Sequence, residues 1–536
     1  MRTRIHRKIA LPITAALAAT AWGAVDVAAD SPASTDTTEA SEASEAGGEC
    51  PSEGGTVTIG DSGEFRGFDP LITTSSSGTT GAATLLAVYD ALIYWNYETG
   101  EYEPWVAASL EPDDELVEWT IGLREGVTFG NGDPVTAEAV KASIERHQSD
   151  LNVTPTKAGA LAITEIEVVD DLTVVLTMDA PTGGVPTLLA GGVGMITNPA
   201  IVDELSQDEF NLGVEGAGIG AFEPERFAPG EETVLTAKDN YWAGPVCVDG
   251  VRFVGVPDQD ARFDAFMLDE FDIVPLRGMY TEIEEEVKPA ELPLYTEVRN
   301  ASGVLFMNGG LPLSDPHPLD ERLRRAIAMS IDPVALDQRI NNGYGLPSGA
   351  LVHERSTLYS GAEGLAYDPD AAKELVEEVR AEGEWDGSVD LQCTELGREG
   401  CIAIEAALVS VGIEVNVEIV TIGGVLDMFS QEDRNFDLIA WSFSMSDQRP
   451  YESLTSGLRT MGYDDEVLNE LLSELQRTPD LSGQQEIMAS IQERWNEIVP
   501  TANFAATGQS WVWQQDIHGL AFTLASIVRL DGVWID

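Results

Sequence analysis

The residue types that most often carry catalysis are sparse in this chain and do not stand in catalytic patterns. The five histidines lie far apart, and none belongs to the H-E-x-x-H pattern that places two zinc ligands on one helix face. The serine-nucleophile pattern G-x-S-x-G and the phosphate-binding pattern G-x-x-x-x-G-K-[ST] are also missing. The sequence therefore offers no motif for a zinc protease, an esterase or a nucleotide hydrolase. A hydrolase using carboxylates outside any motif remains the catalytic alternative.

One glycine-rich segment resembles the pattern of a dinucleotide-binding loop. Gly216-Ala-Gly218-Ile-Gly220-Ala221 matches G-x-G-x-x-A, which binds dinucleotides only where a helix follows it. Pro224 and Pro229 follow here and are incompatible with such a helix. The three glycines instead predict a tight loop that neighbouring backbone approaches closely.

The composition is that of a large, acidic, globular protein. The chain has 536 residues, 43% of them apolar, and carries 92 acidic against 30 basic side chains, a formal net charge of −62. This apolar content is sufficient for large hydrophobic cores and excludes disorder throughout. The negative charge repels polyanions, so we expect binding neither to nucleic acid nor to an anionic bilayer.

The first 49 residues differ from the rest and predict export. A basic start within residues 1–8 precedes an apolar run from Ile9 to Val25 and the small residues Val27-Ala28-Ala29. This order predicts a signal peptide over residues 1–29, with an uncleaved membrane anchor as the alternative. No cysteine directly follows the apolar run, so a lipobox is not expected. Residues 30–49 are small, polar and acidic and predict a disordered linker in the cell envelope or periplasm.

Four cysteines are available for disulfides in an oxidising compartment. They permit three pairings, of which we favour Cys393–Cys401, closing a short loop, and Cys50–Cys247, closing a long one. A metal site is the rival interpretation. It is disfavoured because the sequence has no C-x-x-C and no histidine near a cysteine.

The elements that must position any site alternate between strand and helix patterns. An apolar helix pattern runs from Ala82 to Ile93 and ends in the aromatic residues Tyr94 and Trp95. Helix starts are indicated at Thr136, Asp332-Pro333 and Asp368-Pro369, and Asp170-Asp171 indicates a hairpin turn. Strand patterns at 389–392, 414–421 and 436–441 flank a helix pattern at 401–410, which predicts an α/β sheet covered by helices.

Several motifs, in a specific order, resemble one family. Residues 89–110, 119–129 and 131–141 are similar to the signature region of the family 5 extracellular solute-binding proteins, the peptide, nickel and oligosaccharide receptors of ABC importers. Three further segments resemble the family's later elements: Gly216–Phe222 its G-T-G-P-[YF] loop, Asp239–Gly244 its N-x-Y-W-x-G element, and Leu319–Ile327 its D-x-R-V-R-x-A stretch. The resemblance extends over about residues 55–536.

The resemblance implies an α/β, two-lobed, periplasmic-binding-protein-like clamp of type II, cluster C-like, with an extra subdomain in lobe I. Residues 50–277 and 504–536 would form lobe I, and residues 278–503 lobe II. A clamp of this kind is a monomeric receptor without enzymatic activity, cofactor or metal. It encloses a small-molecule or peptide ligand and then docks on the permease subunits of an ABC transporter.

The resemblance also suggests charged ligand-binding residues. In peptide-binding members an Asp after the strand that holds Trp441 pairs with the ligand amine, which points to Asp447, although Gln448 replaces the usual proline. Arg398, in the loop bounded by Cys393 and Cys401, is the candidate for a ligand carboxylate. A loop cap is the alternative role for Asp447, and a surface position the alternative for Arg398.

Aromatic side chains and glycines complete the candidate site. The pocket walls would be formed by four aromatic residues, for each of which core packing is the alternative: Trp441, Tyr94, Trp95 and Phe68. Gly218 and Gly220 would offer backbone N–H groups to the ligand. A peptide or another amine-bearing ligand is preferred. An oligosaccharide receptor and a secreted hydrolase remain alternatives, and a nickel receptor is disfavoured because no histidine pair is present.

Overall fold

A computed structural model describes residues 49–73, 81–97, 99–154, 156–309, 319–395, 397–430 and 436–536. The predicted signal peptide, residues 1–29, and nearly all of the predicted linker, residues 30–49, lie outside these ranges. Among the described residues, no helix combines the length and the apolar character needed to cross a bilayer.

The strands, in chain order, are β1 Thr56–Asp61, β2 Ile93–Asn96, β3 Glu101–Pro104, β4 Ala107–Pro112, β5 Glu118–Leu123, β6 Ile163–Asp170, β7 Thr173–Met178, β8 Phe222–Ala228, β9 Glu232–Ala237, β10 Gly250–Gly255, β11 Ile273–Arg277, β12 Leu294–Met307, β13 Leu346–Pro347, β14 Ser388–Thr394, β15 Glu414–Val420, β16 Leu438–Trp441, β17 Thr501–Trp513, β18 Ile517–His518, β19 Ala521–Thr523, β20 Ile527–Arg529 and β21 Trp534–Ile535.

The helices are α1 Ala82–Tyr89, α2 Ala137–Gln148, α3 Thr156–Leu161, α4 Val185–Ala190, α5 Pro199–Val202, α6 Gln207–Asn211, α7 Gln259–Phe266, α8 Tyr280–Glu282, α9 Glu321–Ser330, α10 Pro333–Ile340, α11 Pro369–Glu382, α12 Arg398–Ser410, α13 Ile422–Ser430, α14 Pro450–Met461, α15 Glu466–Arg477 and α16 Leu481–Ile498.

Two long strands connect the two lobes of the molecule. The main sheet has the order β15-β14-β16-β12-β17-β11-β1-β10-β9-β8. The first half of β12 pairs with the second half of β17 beside β11, and the second half of β12 pairs with the start of β17 beside β16. We call the β8–β11 side, with the separate sheet β4-β5-β7-β6, lobe I, and the β14–β16 side lobe II. This is the two-lobed α/β architecture expected from the sequence.

The crossing point is marked by a break in the ladder. The register of β12 against β17 shifts between Arg299 and Gly303, where Ala301 has a left-handed backbone with φ 44°. A ladder interrupted in this way offers fewer hydrogen bonds to resist bending, so the break is the natural place for a hinge. The lobe boundaries at 277/278 and 503/504 stay a prediction. On β12, the break in register against β17 begins at Arg299, more than twenty residues after the predicted boundary at 277/278.

The hydrophobic cores of the two lobes are separate from each other. In lobe I, one core packs α1 against β1, β8 and β10, and a second fills the space between the β4–β7 sheet and α2. In lobe II, one face of the sheet packs against α9, α11 and α12, and the other against α14, α15 and α16. Separate cores allow the lobes to move as bodies joined by β12 and β17.

Local sequence signals set many of these boundaries. The side chains of Thr136, Asp332 and Asp368 accept hydrogen bonds from the first turns of α2, α10 and α11, as their positions predict. β6 and β7 form the hairpin expected at Asp170-Asp171. Both favoured disulfides, Cys50–Cys247 and Cys393–Cys401, are present.

The helix expected from Ala82 to Ile93 is too long. α1 ends at Tyr89 because Asp90 adopts φ 54°, and Ile93 starts β2. The buried Asp90 carboxylate accepts hydrogen bonds from the Tyr94 hydroxyl and, about 150 residues away, from Tyr241 and Trp242. These tertiary bonds outweigh the local apolar pattern that favours helix.

Candidate ligand-binding site

The strands that join the lobes carry buried polar side chains at their centre. Glu297 and Arg299 on β12 are 5% and 7% exposed, and Gln509 and Ser510 on β17 are 4% and 1% exposed. Burying polar groups is costly unless they find partners, so such groups are rarely concentrated without a functional reason. The centre of the crossover, between two separate cores, is therefore the candidate site.

Glu297 is the anionic centre of this cluster. Its Oε2 accepts a hydrogen bond from the Ser526 hydroxyl and lies 3.3 Å from Arg299 Nη2. Its Oε1 has no hydrogen-bond partner among the described residues, and the Tyr97 hydroxyl is near enough to lower the pKa of the carboxyl. Burial raises the pKa of the Glu297 carboxyl, and Arg299, Ser526 and Tyr97 oppose that rise.

Lobe I contributes Tyr97 and Ser526 to the cluster. The backbone N–H of Ser526 donates to the Tyr97 hydroxyl over 3.2 Å. Ala525 and Ser526 both have left-handed backbones, with φ 60° and 58°, which is unfavourable for residues with a side chain. Conformations of this kind concentrate at functional sites, and here the turn directs the Ser526 hydroxyl at Glu297.

Lobe II contributes Gln448, and its contacts show that the two lobes touch each other here. Gln448 Nε2 lies 3.5 Å from the Tyr97 hydroxyl, and the Gln448 carbonyl oxygen lies 3.4 Å from Thr187 Oγ1 of lobe I. Further along the interface, the Gly183 N–H donates to the Gln476 carbonyl over 2.8 Å. Gln448 is 9% exposed and its Oε1 has no partner within the described ranges.

Asp447 lies next to this cluster, but its carboxylate is already occupied. Oδ1 accepts hydrogen bonds from Asn300 and the Ser356 hydroxyl, and Oδ2 accepts from the N–H and hydroxyl of Thr357. These four bonds fasten the 353–358 segment to the loop after β16. Binding of a ligand amine by Asp447 stays a prediction, and it would require the amine to share or displace these donors.

Trp441 and Arg398 lie elsewhere in lobe II. Trp441, at the end of β16, is half-buried and packs edge-on against Phe429. Arg398 is exposed at the start of α12, where its guanidinium binds both carboxylate oxygens of Glu395 over 3.0 and 2.6 Å. Glu395 occupies the guanidinium fork in this structure, and binding of a ligand carboxylate by Arg398 stays a prediction.

The other three aromatic residues, Phe68, Tyr94 and Trp95, pack in the cores of lobe I, and their role as pocket walls stays a prediction. Phe68 is fully buried against Phe65 and Phe227. Tyr94 lies under the Arg529 guanidinium, 3.9 Å from ring centroid to Cζ, and Trp95 packs edge-on against neighbouring tyrosines. Their large apolar surfaces stabilise the core.

The glycine loop is packed against α1, and the Gly220 N–H is bound within the protein. That N–H donates to the Val88 carbonyl over 2.8 Å, and the Gly218 carbonyl accepts from Lys238 Nζ and the Gly130 N–H. A Cβ on Gly218 would lie 2.1 Å from the Val88 carbonyl oxygen. The expectation of a closely approached loop is confirmed, whereas a ligand role for the N–H groups of Gly218 and Gly220 stays a prediction.

The residues that the structure brings together are far apart in the sequence and were not predicted as a cluster. Glu297 and Ser526 are 229 positions apart, and Tyr97 and Gln448 are 351 apart. One signal was available: Glu297 and Arg299 are charged residues inside a strand that is otherwise apolar over much of its length. No group of three or more His, Cys, Asp or Glu suited to a metal ion is found in the part of the chain that the structure describes.

Comparisons with known proteins agree on one family. The model for bacterial extracellular solute-binding proteins, family 5 (middle), matches residues 101–465. The probable D,D-dipeptide-binding periplasmic protein DdpA of Escherichia coli K12 is 26% identical over 416 residues, covering 74% of this chain and 76% of that protein. The oligopeptide-binding protein OppA of Bacillus subtilis is 22% identical over 455 residues, covering 78% and 82%.

The same fold is found among solved structures. The ABC transporter substrate-binding protein CtaP of Listeria monocytogenes superposes with a TM-score of 0.75 at 18% identity, covering 90% of this chain and 99% of that one. The AppA oligopeptide-binding protein of Bacillus subtilis, solved with a nonapeptide, gives a TM-score of 0.69 at 18% identity, covering 91% and 100%. At this level of identity the likeness establishes the fold.

Proposed function

The chain belongs to the bacterial extracellular solute-binding proteins of family 5, and from this premise we propose that it captures a peptide between its two lobes and delivers it to the permease of an ABC importer. The family consists of binding proteins, not enzymes, so the ligand is released unchanged. The hydrolase alternative is therefore set aside.

One observation supports this proposal above the others. Buried polar side chains lie at and beside the crossing of the strands between two separately packed lobes, and two of their acceptor oxygens have no donor among the described residues. A ligand at that place contacts both lobes at once only when they close. It therefore favours the closed state, since a ligand shifts an equilibrium toward the state that it binds more tightly. The peptide-binding names of the relatives DdpA and OppA support a peptide as the ligand.

The family and its periplasmic relatives support export of this chain. We further propose that residues 1–29 act as a signal peptide without a lipobox, that residues 30–49 form a flexible linker, and that the folded part works as a monomer. The permease subunits of the importer are the proposed partner. With a net charge of −62, no nucleic-acid partner is proposed.

Native mass spectrometry of the purified protein tests this proposal. We expect a fraction of the molecules to carry peptide, and a peptide digest of casein, freed of protease, to raise the melting temperature of stripped protein. The digest should be recovered unchanged after prolonged incubation. The proposal fails if no peptide co-purifies and none raises the melting temperature, or if sub-stoichiometric protein cleaves the digest.

A further inference from the structure

We propose that Glu297 and Gln448 form the subsite that receives a primary ammonium group of the ligand. This inference rests on the proposed function and specifies the chemistry of that same site. Neither residue was identified from the sequence pattern, and the site differs from Asp447, whose four donors are supplied by the protein itself.

Two unpartnered acceptors are the observation that carries this proposal. Glu297 Oε1 and Gln448 Oε1 are buried, in residues 5% and 9% exposed, and neither accepts a hydrogen bond within the described residues. Most buried acceptors are satisfied, so two of them in one interface indicate that a donor is supplied from outside. They come from different parts of the clamp: Glu297 from crossover strand β12, and Gln448 from a lobe II loop that meets Tyr97 of lobe I.

The asymmetry within the Glu297 carboxylate indicates where the ligand binds. Oε2 is bound by the Ser526 hydroxyl and faces Arg299 Nη2 over 3.3 Å, which fixes the plane of the group. Oε1 is left for a second donor. An anionic acceptor favours a cationic donor, because charge-assisted hydrogen bonds are stronger than neutral ones.

The nearby charges also favour a cation. The Asp447 charge acts on Glu297 in the same direction as burial and raises its pKa, so two carboxylates repel each other across this interface while Arg299 opposes them. A positive group at Glu297 Oε1 relieves that repulsion. A ligand carboxylate at the same place would add to it.

The acceptor set fits a primary ammonium in particular. An ammonium carries three N–H donors, and the two unpartnered oxygens, Glu297 Oε1 and Gln448 Oε1, belong to side chains that both neighbour Tyr97. The Tyr97 hydroxyl already accepts the Ser526 N–H and lies 3.5 Å from Gln448 Nε2, so Glu297 and Gln448 supply the acceptors for the ligand. Peptides present such an ammonium at their N-terminus and on lysine.

The test compares two probes on three proteins. The probes are the casein peptide digest and the same digest after acetylation of its amines. The proteins are the wild type, Glu297→Gln and Glu418→Gln, the last making the same chemical change on the exposed part of β15. The measured quantity is the digest concentration that gives half of the maximal melting shift, with circular dichroism of each ligand-free protein as the check on folding.

We expect acetylation to weaken binding to the wild type roughly 10- to 100-fold, as expected for the loss of hydrogen bonds to a charged group. Glu297→Gln should weaken binding of the unmodified digest by a similar factor and respond little to acetylation, and Glu418→Gln should match the wild type. Gln448→Met, which leaves Glu297 in place, should also weaken binding of the unmodified digest.

The inference is overturned if Glu297→Gln binds the unmodified digest as the wild type does, or if the wild type binds both digests equally. A wild type that responds to neither digest contradicts the proposed function itself, and the ammonium subsite falls with it. The response of the wild type to the unmodified digest therefore distinguishes the two failures.

Discussion

A protein in which Gly183 and Pro479 are both replaced by cysteine is expected to lose peptide binding completely once the new disulfide forms. The Gly183 N–H of lobe I donates to the Gln476 carbonyl of lobe II, and a Cβ on Gly183 would lie 3.4 Å from Pro479 Cα. The two Cα atoms are therefore no more than about 5 Å apart, within the reach of a disulfide. A covalent link at this position holds the lobes closed, so a peptide outside cannot reach the buried subsite between them.

The measurement is the melting shift produced by the casein digest before and after oxidation, with intact mass reporting the link. Mild reduction should restore the shift, because the engineered pair is more accessible than Cys393 and Cys401, which are at most 1% exposed. The matched control carries serine at both positions and should bind normally throughout. An oxidised cysteine protein that still responds to the digest as well as the serine protein would show that access does not require the lobes to separate.

Gly218→Ala is expected to destabilise lobe I by about 3 kcal/mol, at the upper end of the usual cost of overpacking. The new Cβ would lie 2.1 Å from the Val88 carbonyl oxygen and 2.8 Å from the Val88 carbonyl carbon. These are backbone atoms at the end of α1, which cannot move aside as a side chain can. The loop must therefore shift and weaken the contacts of Lys238 and Gly130 with the Gly218 carbonyl.

Urea unfolding of Gly218→Ala against Gly349→Ala measures this effect. Gly349 is a suitable control because a Cβ there meets no atom closer than the Leu365 carbonyl oxygen at 3.6 Å. Its free energy of unfolding should stay within about 0.5 kcal/mol of the wild type. Equal unfolding midpoints for the two variants would refute the packing role of Gly218.

Features determined within a few residues could be predicted from the sequence. The caps at Asp332 and Asp368 work locally, since each side chain accepts from a backbone N–H two or three residues ahead. The hairpin at Asp170-Asp171 and the strand–helix alternation of lobe II are likewise local patterns. The two-lobed fold was predicted from the order of family motifs, which begins with residues 89–141, and not from any single pattern.

The ligand site could not be predicted in the same way, because chain segments far apart in sequence create it. The oxygen of Glu297 is left unpartnered only because β12 meets β17 and the turn at Ser526 binds the other oxygen. Tyr94 and Trp95 show the converse. The family resemblance suggests that both wall a pocket, yet residues 521–529 pack over them in the core of lobe I.

Small-angle X-ray scattering of the wild type, stripped of ligand and then saturated with casein peptides, tests whether two hinged lobes close on a guest. The ligand-free protein should have the larger radius of gyration, and peptide should reduce it to the value of the oxidised Gly183→Cys, Pro479→Cys protein. A radius of gyration that is the same in all three samples would contradict closure, and with it the role assigned to the crossover of β12 and β17.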